Sequence, residues 1–340
     1  MTTLIGIDVG GTNLRVGVVN YDVNSIDSKP YLLEEMRFQA DFSNLCKANQ
    51  HSPDHAWQTI LATIANAVQN VRAQYPEISA VGIGFPGFID PITQKISQSP
   101  NLPGLSNVDL SADLSRLIQL PVITENDALA AAYGEYAMLV NQTTNKDAQT
   151  VEPQNKILSN KSTQSLIYIG LGTGVGGGLI LNGQPFQGQH GVAMEVGHII
   201  VKNSGRQCGC GNAGCMEQYA SASGVAISYF EATGQQCNAQ EITNLANQAD
   251  RAAINAYALA GVVIAQALAH ILKVIDVTEI VIGGGMSEAW PLMQSAFQRQ
   301  LDDDLIPSLR SKVSVKISSM GDQAGIIGAA MLAQQNFSVI

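Results

Sequence analysis

Residues 4–19 read LIGIDVGGTNLRVGVV. The stretch divides into a short apolar run, Leu4–Val9, a break at Gly10-Gly11-Thr12-Asn13, and an alternating run, Leu14–Val19. Two such runs around a glycine-rich turn read as a β-hairpin. A turn of Gly and Thr sets successive N–H groups on one concave surface, with no Cβ to block a bound anion. About 160 residues later the pattern returns as strand Ser165–Leu171, turn Gly172-Thr173-Gly174 and strand Gly176–Leu181. The repeat predicts a duplicated α/β architecture with one phosphate-facing hairpin per lobe.

The intervening chain alternates helix and strand. Trp57, Ile60, Leu61, Ile64, Val68 and Val71 recur at helical spacing, which predicts an amphipathic helix over Pro53–Tyr75. Ala80–Gly84 reads as a strand, and Pro121–Thr124 as another that leads into a helix from Asn126 to Leu139. Asn141–Gln164 is almost wholly polar and reads as a surface insertion or mobile loop, with a solvated helical extension as the alternative. Beyond the second hairpin come a long helical stretch, Gln240–Val274, and a strand, Glu279–Ile282, ending in Gly283-Gly284-Gly285. A further helix, a strand at Val313–Ile317 and a helix at Asp322–Gln335 follow.

Composition narrows the function classes. The 340 residues suggest roughly two domains, and 46% apolar residues are enough for a substantial core. The formal charge of −10 argues against a nucleic-acid or anionic-membrane surface, because phosphate backbones reward Lys and Arg. No basic residue precedes Arg15, so a secretory n-region is not expected. The longest purely apolar run, Ala256–Ala265, falls short of the roughly 20 residues of a membrane span. These features predict a soluble, cytoplasmic, two-domain protein.

Other phosphate signatures fail on context. No GxxxxGK[ST] occurs. GxGxxG occurs at Gly82–Gly87 and at Gly172–Gly177, but a dinucleotide fold needs a helix to open directly after it. Pro86 and Pro91 flank the first match, and a strand follows the second.

Three of the five cysteines crowd into Cys208-x-Cys210-x4-Cys215, ten residues after His198, with glycines between them. Three thiolates and one imidazole fill a tetrahedral zinc shell, which leaves no position for a reactive water and predicts a structural metal. His190 is a rival fourth ligand; Cys46 and Cys237 read as ordinary thiols.

Among the acids, Asp127 follows Asn126 at a helix start, where Asn126 suits an N-cap and Asp127 complements the helix dipole. The same dipole keeps a carboxylate ionised and able to accept a proton. Asp8 ends the first strand beside the glycine turn and is a candidate to position Mg²⁺ or its waters. Glu195 and Glu217 bracket the cysteine cluster.

Together these motifs resemble the ROK family of sugar kinases and regulators, within the actin/hexokinase-like ATPase superfamily. The match runs in order through IGIDVGGTNLRVGVV, GFPGFID, SPNLPG, ENDALAAAYGE, IYIGLGTGVGGGLI, MEVGHI, CGCGNAGCMEQYAS and VIGGG. The resemblance implies a two-lobed actin-like (ribonuclease H-like) fold with duplicated sheets and a central cleft for ATP and sugar. It implies Asp127 as general base, with Asn101, Asn126, Glu195, His198 and Glu217 on sugar hydroxyls and His198 also on zinc. Phosphate and Mg²⁺ contacts would fall to Asp8, Gly10, Gly11, Thr12, Asn13, Gly172, Thr173, Gly174, Gly283, Gly284 and Gly285. Met194 departs from the family, which commonly has glycine before the Glu, and the 141–164 segment is an unusual insertion.

The expected organisation is a first lobe of 1–122 with 322–340 and a second of 123–321. The expected activity is ATP-dependent phosphorylation of a hexose 6-hydroxyl, with glucose as the substrate and a homodimer as the assembly. N-acetylhexosamine, mannose or fructose kinases are the close rivals. A sugar-responsive repressor is disfavoured, because the first motif begins at Leu4 and leaves no room ahead of it for a helix-turn-helix.

Overall fold

The protein, as a computed structural model, is described over residues 1–11, 13–23, 28–147 and 164–337. The first hairpin pairs β1 (Thr2–Val9) antiparallel to β2 (Asn13–Tyr21), with Ile5 opposite Val18 and Asp8 opposite Arg15. With β3 (Tyr31–Gln39), β4 (Ala80–Phe85) and β7 (Val122–Asn126) it forms a sheet of order β3-β2-β1-β4-β7, in which β1, β4 and β7 are parallel. Two short strands, β5 (Phe88–Ile89) and β6 (Ile96–Gln98), pair separately.

A second sheet has the order β10-β9-β8-β11-β12, from β8 (Leu166–Leu171), β9 (Val175–Leu181), β10 (Gln184–Pro185), β11 (Glu279–Gly283) and β12 (Ser314–Ile317). Counted within its own sheet, each set runs third, second, first, fourth, fifth. The duplication read from two hairpins therefore extends to whole sheets.

Leu4, Ile5, Ile7 and Val9 of β1 are all buried because both faces of the strand are covered. Ile5, Ile7 and Val9 join Ile60, Ile64 and Val68 of helix Pro53–Gln74 in one core. On the other face a Cβ added at Gly6 would lie 1.9 Å from the Ile326 carbonyl oxygen, so helix Gln323–Phe337 packs backbone against strand.

Two compact units result: residues 1–165, 178–193 and 322–340, and residues 166–177 and 194–321. The boundary expected after residue 122 is thereby corrected, since helix Asp127–Asp147 belongs to the first unit. The cause is its contact with helix Gln323–Phe337, where a Cβ at Gly328 would sit 1.7 Å from the Ala130 carbonyl oxygen.

Other elements differ from expectation. Helix Asp127–Asp147 runs past Leu139, so the polar segment begins as helix; residues 148–163 lie outside the described residues. The stretch Gln240–Val274 is two helices, Ala239–Asn247 and Arg251–Ile275. Ala249 between them takes a left-handed φ of 66°, and Asp250 caps the second helix by accepting from the Ala253 N–H at 2.8 Å. By length and composition alone Arg251–Ile275 is apolar enough to cross a membrane, contrary to the reading of the sequence. More than half of that stretch is buried, with Ala260, Val263, Ile264 and Leu268 in the core of the second unit.

Candidate active site

In the first unit the glycine turn closes on itself. The Gly10 N–H donates to the Asn13 carbonyl at 2.9 Å and is not available to a ligand. The Gly11 N–H has no acceptor among the described residues, and Thr12 lies outside them. Cross-strand register places Arg15 opposite Asp8, and its guanidinium spans Asp8 (3.5 Å), Glu35 (3.1 Å) and Asp322 (3.4 Å). Burial pushes the Asp8 carboxyl up, Arg15 pulls it down, and Asp322 and Glu35 add to the rise. The Nη2 of Arg15 is buried with no hydrogen-bond partner among the described residues. A buried guanidinium that holds Asp8 beside the exposed Asp322 suits a site that takes a hard cation on its carboxylates.

β7 ends where the helix bearing Asp127 starts. The Asn126 Oδ1 accepts the Leu129 N–H at 3.1 Å, the N-cap geometry expected, and its Nδ2 donates to the Gly87 carbonyl at 3.1 Å. Asp127 Oδ1 accepts the Ala128 N–H at 2.8 Å. Asn101 lies exposed in the turn after β6. Glu125, one residue before Asn126, drew no notice in the sequence yet is buried, and burial pushes its carboxyl to about 7 against hydrogen bonds from Asn126 and Gln187. Its side-chain partner Gln187 is 62 residues away, so no local pattern marks the contact.

In the second unit the four metal-ligand candidates converge. One ligand atom from each of His198, Cys208, Cys210 and Cys215 lies within 4.8 Å of all the others. Cys208 Sγ is 3.6 Å from His198 Nδ1, and Cys210 Sγ is 3.6 Å from Cys215 Sγ. Tetrahedral zinc with Zn–S of ~2.3 Å and Zn–N of ~2.05 Å requires S···S of about 3.8 Å and S···N of about 3.6 Å, whereas a disulfide requires ~2.05 Å. The donor set fits zinc. Burial and the neighbouring thiols push Cys215 to about 12, so three thiolates need a cation among them. His190 is not part of this group; its charge is a minor contributor to lowering Asp90, whose main causes are hydrogen bonds from Thr93.

Around the cluster, Glu195, His198 and Glu217 come together. Glu195 caps the short turn Val196–His198, and its Oε2 is 3.8 Å from His198 Nε2. Burial raises the Glu195 carboxyl, with His198 opposing and Glu217 adding to the rise. Glu217 opens helix Glu217–Ala220 and its Oε2 accepts the Val175 N–H at 3.0 Å.

That contact revises the second glycine turn. A Cβ on Gly174 would sit 2.6 Å from Glu217 Oε2, so Gly174 is small to admit this acid. The Gly172 N–H is taken by the Gly174 carbonyl at 3.0 Å, which leaves Thr173 and Gly174 as the turn's free donors among the described residues. Gly284, at φ 79°, lies against the Leu171 carbonyl, where an added Cβ would be 2.3 Å away; its first duty is packing. Gly172 and Gly285 face open space.

Arg206 carries no local signal in the sequence. Its guanidinium bonds to Glu231, Ser228 and the carbonyls of Gln218 and Gly224, and stacks 4.5 Å from the Tyr219 ring centroid. It ties the cysteine loop to helices Glu217–Ala220 and Ala222–Thr233.

Known proteins resemble this chain along nearly its whole length. A glucokinase of Streptomyces coelicolor is 28% identical over 353 residues, covering 98% of each chain. An N-acetyl-D-glucosamine kinase of Shigella boydii is 31% identical, covering 96% of this chain and 98% of its own. The solved structure of a ROK family glucokinase from Streptomyces griseus, in complex with glucose and AMPPNP, superposes with a TM-score of 0.73 at 27% identity, over 98% of this chain and 99% of that one. The duplicated sheets are those of the two-lobed actin-like ATPase fold of such kinases. The ROK family model matches residues 4–151 and 142–336, nearly the whole chain, and the protein belongs to the ROK family.

Proposed function

We propose that the protein is an ATP-dependent sugar kinase that phosphorylates the 6-hydroxyl of a hexose, with glucose as the preferred substrate. The observation that carries the reading is the junction of β7 with its helix, where Asp127 stands on the first turn beside the capping Asn126. A carboxylate there is held ionised by the helix N-terminus and can take the hydroxyl proton as the oxygen attacks the γ-phosphate in line. Asn101, Asn126, Glu195, His198 and Glu217 hold the other hydroxyls. With Nδ1 facing the thiols, His198 keeps Nε2 to donate to the sugar or to Glu195.

Asp8 is the residue to hold Mg²⁺ through its waters, and the metal's charge neutralises the phosphates when bound. Gly11, Thr173 and Gly174 supply the free N–H donors for anionic oxygens, with Arg15 adding positive charge behind Asp8. Zinc, on His198, Cys208, Cys210 and Cys215, is structural. The same reading gives a cytoplasmic homodimer.

A coupled assay with ATP or polyphosphate against glucose, N-acetylglucosamine, mannose and fructose tests the reading. Turnover greatest on glucose is the expected result. Turnover greatest on N-acetylglucosamine would shift the substrate toward the activity named for the Shigella relative. No turnover on any sugar, with a positive gel shift on DNA, would replace the kinase with a regulator.

A further inference from the structure

Glu125 is a buried acid that the chemistry above does not use. It is 6% exposed, on the last-but-one residue of β7. Its Oε1 accepts the Asn126 N–H at 2.7 Å and its Oε2 accepts Gln187 Nε2 at 2.5 Å. No cationic side chain pairs with it among the described residues. Gln187 lies in the segment after β10, which is itself anchored: the Phe186 N–H donates to the Leu179 carbonyl at 2.8 Å and the Ala193 N–H to the Gln187 carbonyl at 3.3 Å. Gly191, at φ 69°, brings this segment so close to β5 that an added Cβ would lie 1.9 Å from the Ile89 carbonyl oxygen.

The geometry points to Glu125 as a positioning residue that acts through hydrogen bonds from Gln187 and Asn126 to set the strand-to-helix junction presenting Asn126 and Asp127. What the junction does rests on the kinase reading; the junction itself does not. A buried carboxylate with no counter-cation is costly unless amides surround it, and two amide donors meet it here. The Gln187 amide can also turn over and offer its oxygen to a protonated Glu125, so the link holds in either protonation state. Hydrogen bonding rather than charge is therefore the function, and glutamine at 125 should serve.

The test compares Glu125→Ala, Glu125→Gln, Gln187→Leu and the exchanged pair Glu125→Gln with Gln187→Glu. Glu125→Ala and Gln187→Leu should lower kcat about ten- to a hundredfold, with a smaller rise in sugar KM through Asn126, because small displacements of a catalytic group cost that much. Glu125→Gln and the exchanged pair should keep kcat within about threefold of the unmodified protein. Amide hydrogen exchange, read without sugar, should quicken over residues 122–130 in the first two variants and not in the others. Two truncations with unchanged kcat and exchange would overturn the inference, as would Glu125→Gln as impaired as Glu125→Ala. If the unmodified protein phosphorylates no sugar, the kinase reading falls while the exchange measurement still decides the junction.

Discussion

The His198 ring spans two environments: its Nδ1 lies 3.6 Å from the Cys208 thiol and its Nε2 lies 3.8 Å from Glu195 Oε2. One imidazole thus joins the cysteine cluster to a pair of acids. If Nδ1 is committed to a metal, the proton sits on Nε2, and the ring becomes a donor of fixed direction.

Metal analysis of the purified protein should find zinc. Cys210→Ser should lose it, because a hydroxyl does not replace a thiolate in a four-ligand shell. Sugar KM should rise in the same variant, since His198 is then unrestrained. A zinc-free protein with unaltered KM would remove the metal from the description.

Asp127→Asn keeps the shape of the side chain and its bond to Ala128 but cannot accept a proton. Turnover should drop by about 10²–10⁴-fold, the usual share of general base catalysis, with sugar KM little changed. Steady-state kinetics decides it: near-normal kcat would take Asp127 out of the base role.

Met194 adopts φ 65°, in the left-handed region. A non-glycine residue pays about 1–2 kcal/mol there, whereas glycine adds about 0.5–1 kcal/mol of unfolded-state entropy to overcome. Met194→Gly should therefore stabilise by up to about 1 kcal/mol in urea unfolding. A loss of stability would show that the packing of the Met side chain outweighs the strain.

Arg206 has only 13% of its side chain exposed and makes hydrogen bonds to four groups. Arg206→Ala leaves the Gln218 and Gly224 carbonyls without this donor, a loss of about 2–3 kcal/mol. Arg206→Lys should recover less than half, because an ammonium cannot reproduce the planar fork. Chemical denaturation of the two variants measures both.

Glu125 binds its proton more tightly folded than unfolded, since its carboxyl is raised from 4.5 to about 7. Between these values the native state holds more protons, so stability must fall as pH rises from about 4.5 to about 7 and level off above. Up to about 3 kcal/mol is at stake. Urea midpoints at pH 5 and pH 8 should therefore separate more in the unmodified protein than in Glu125→Gln.

The parts of the fold legible in the sequence are those with a periodic apolar signal. β1, β2 and helix Pro53–Gln74 bury regular faces, so their spacing betrays them. β3 does not, because it is a sheet edge with Glu34 and Glu35 partly exposed and Arg37 exposed along it. The break before Arg251 is hidden since an alanine, not a glycine, takes the left-handed turn. In the candidate site, ligand spacing marks the cysteines that converge with His198, and the helix start marks the cap at Asn126. The link from Glu125 to Gln187 and the grip of Arg206 arise only when distant segments meet, and local spacing carries no trace of either.

Gly6 and Gly82 shape β1 and β4 to receive the backbone of helix Gln323–Phe337, where added Cβ atoms would strike Ile326 and Ala329. A ribosome delivers those strands long before it delivers that helix. At ~5–20 residues per second the delay is roughly 10–50 s, during which the later unit is translated. The stripe around Gly6 and Gly82 therefore waits bare on the nascent chain, and it is there that a chaperone has something to hold.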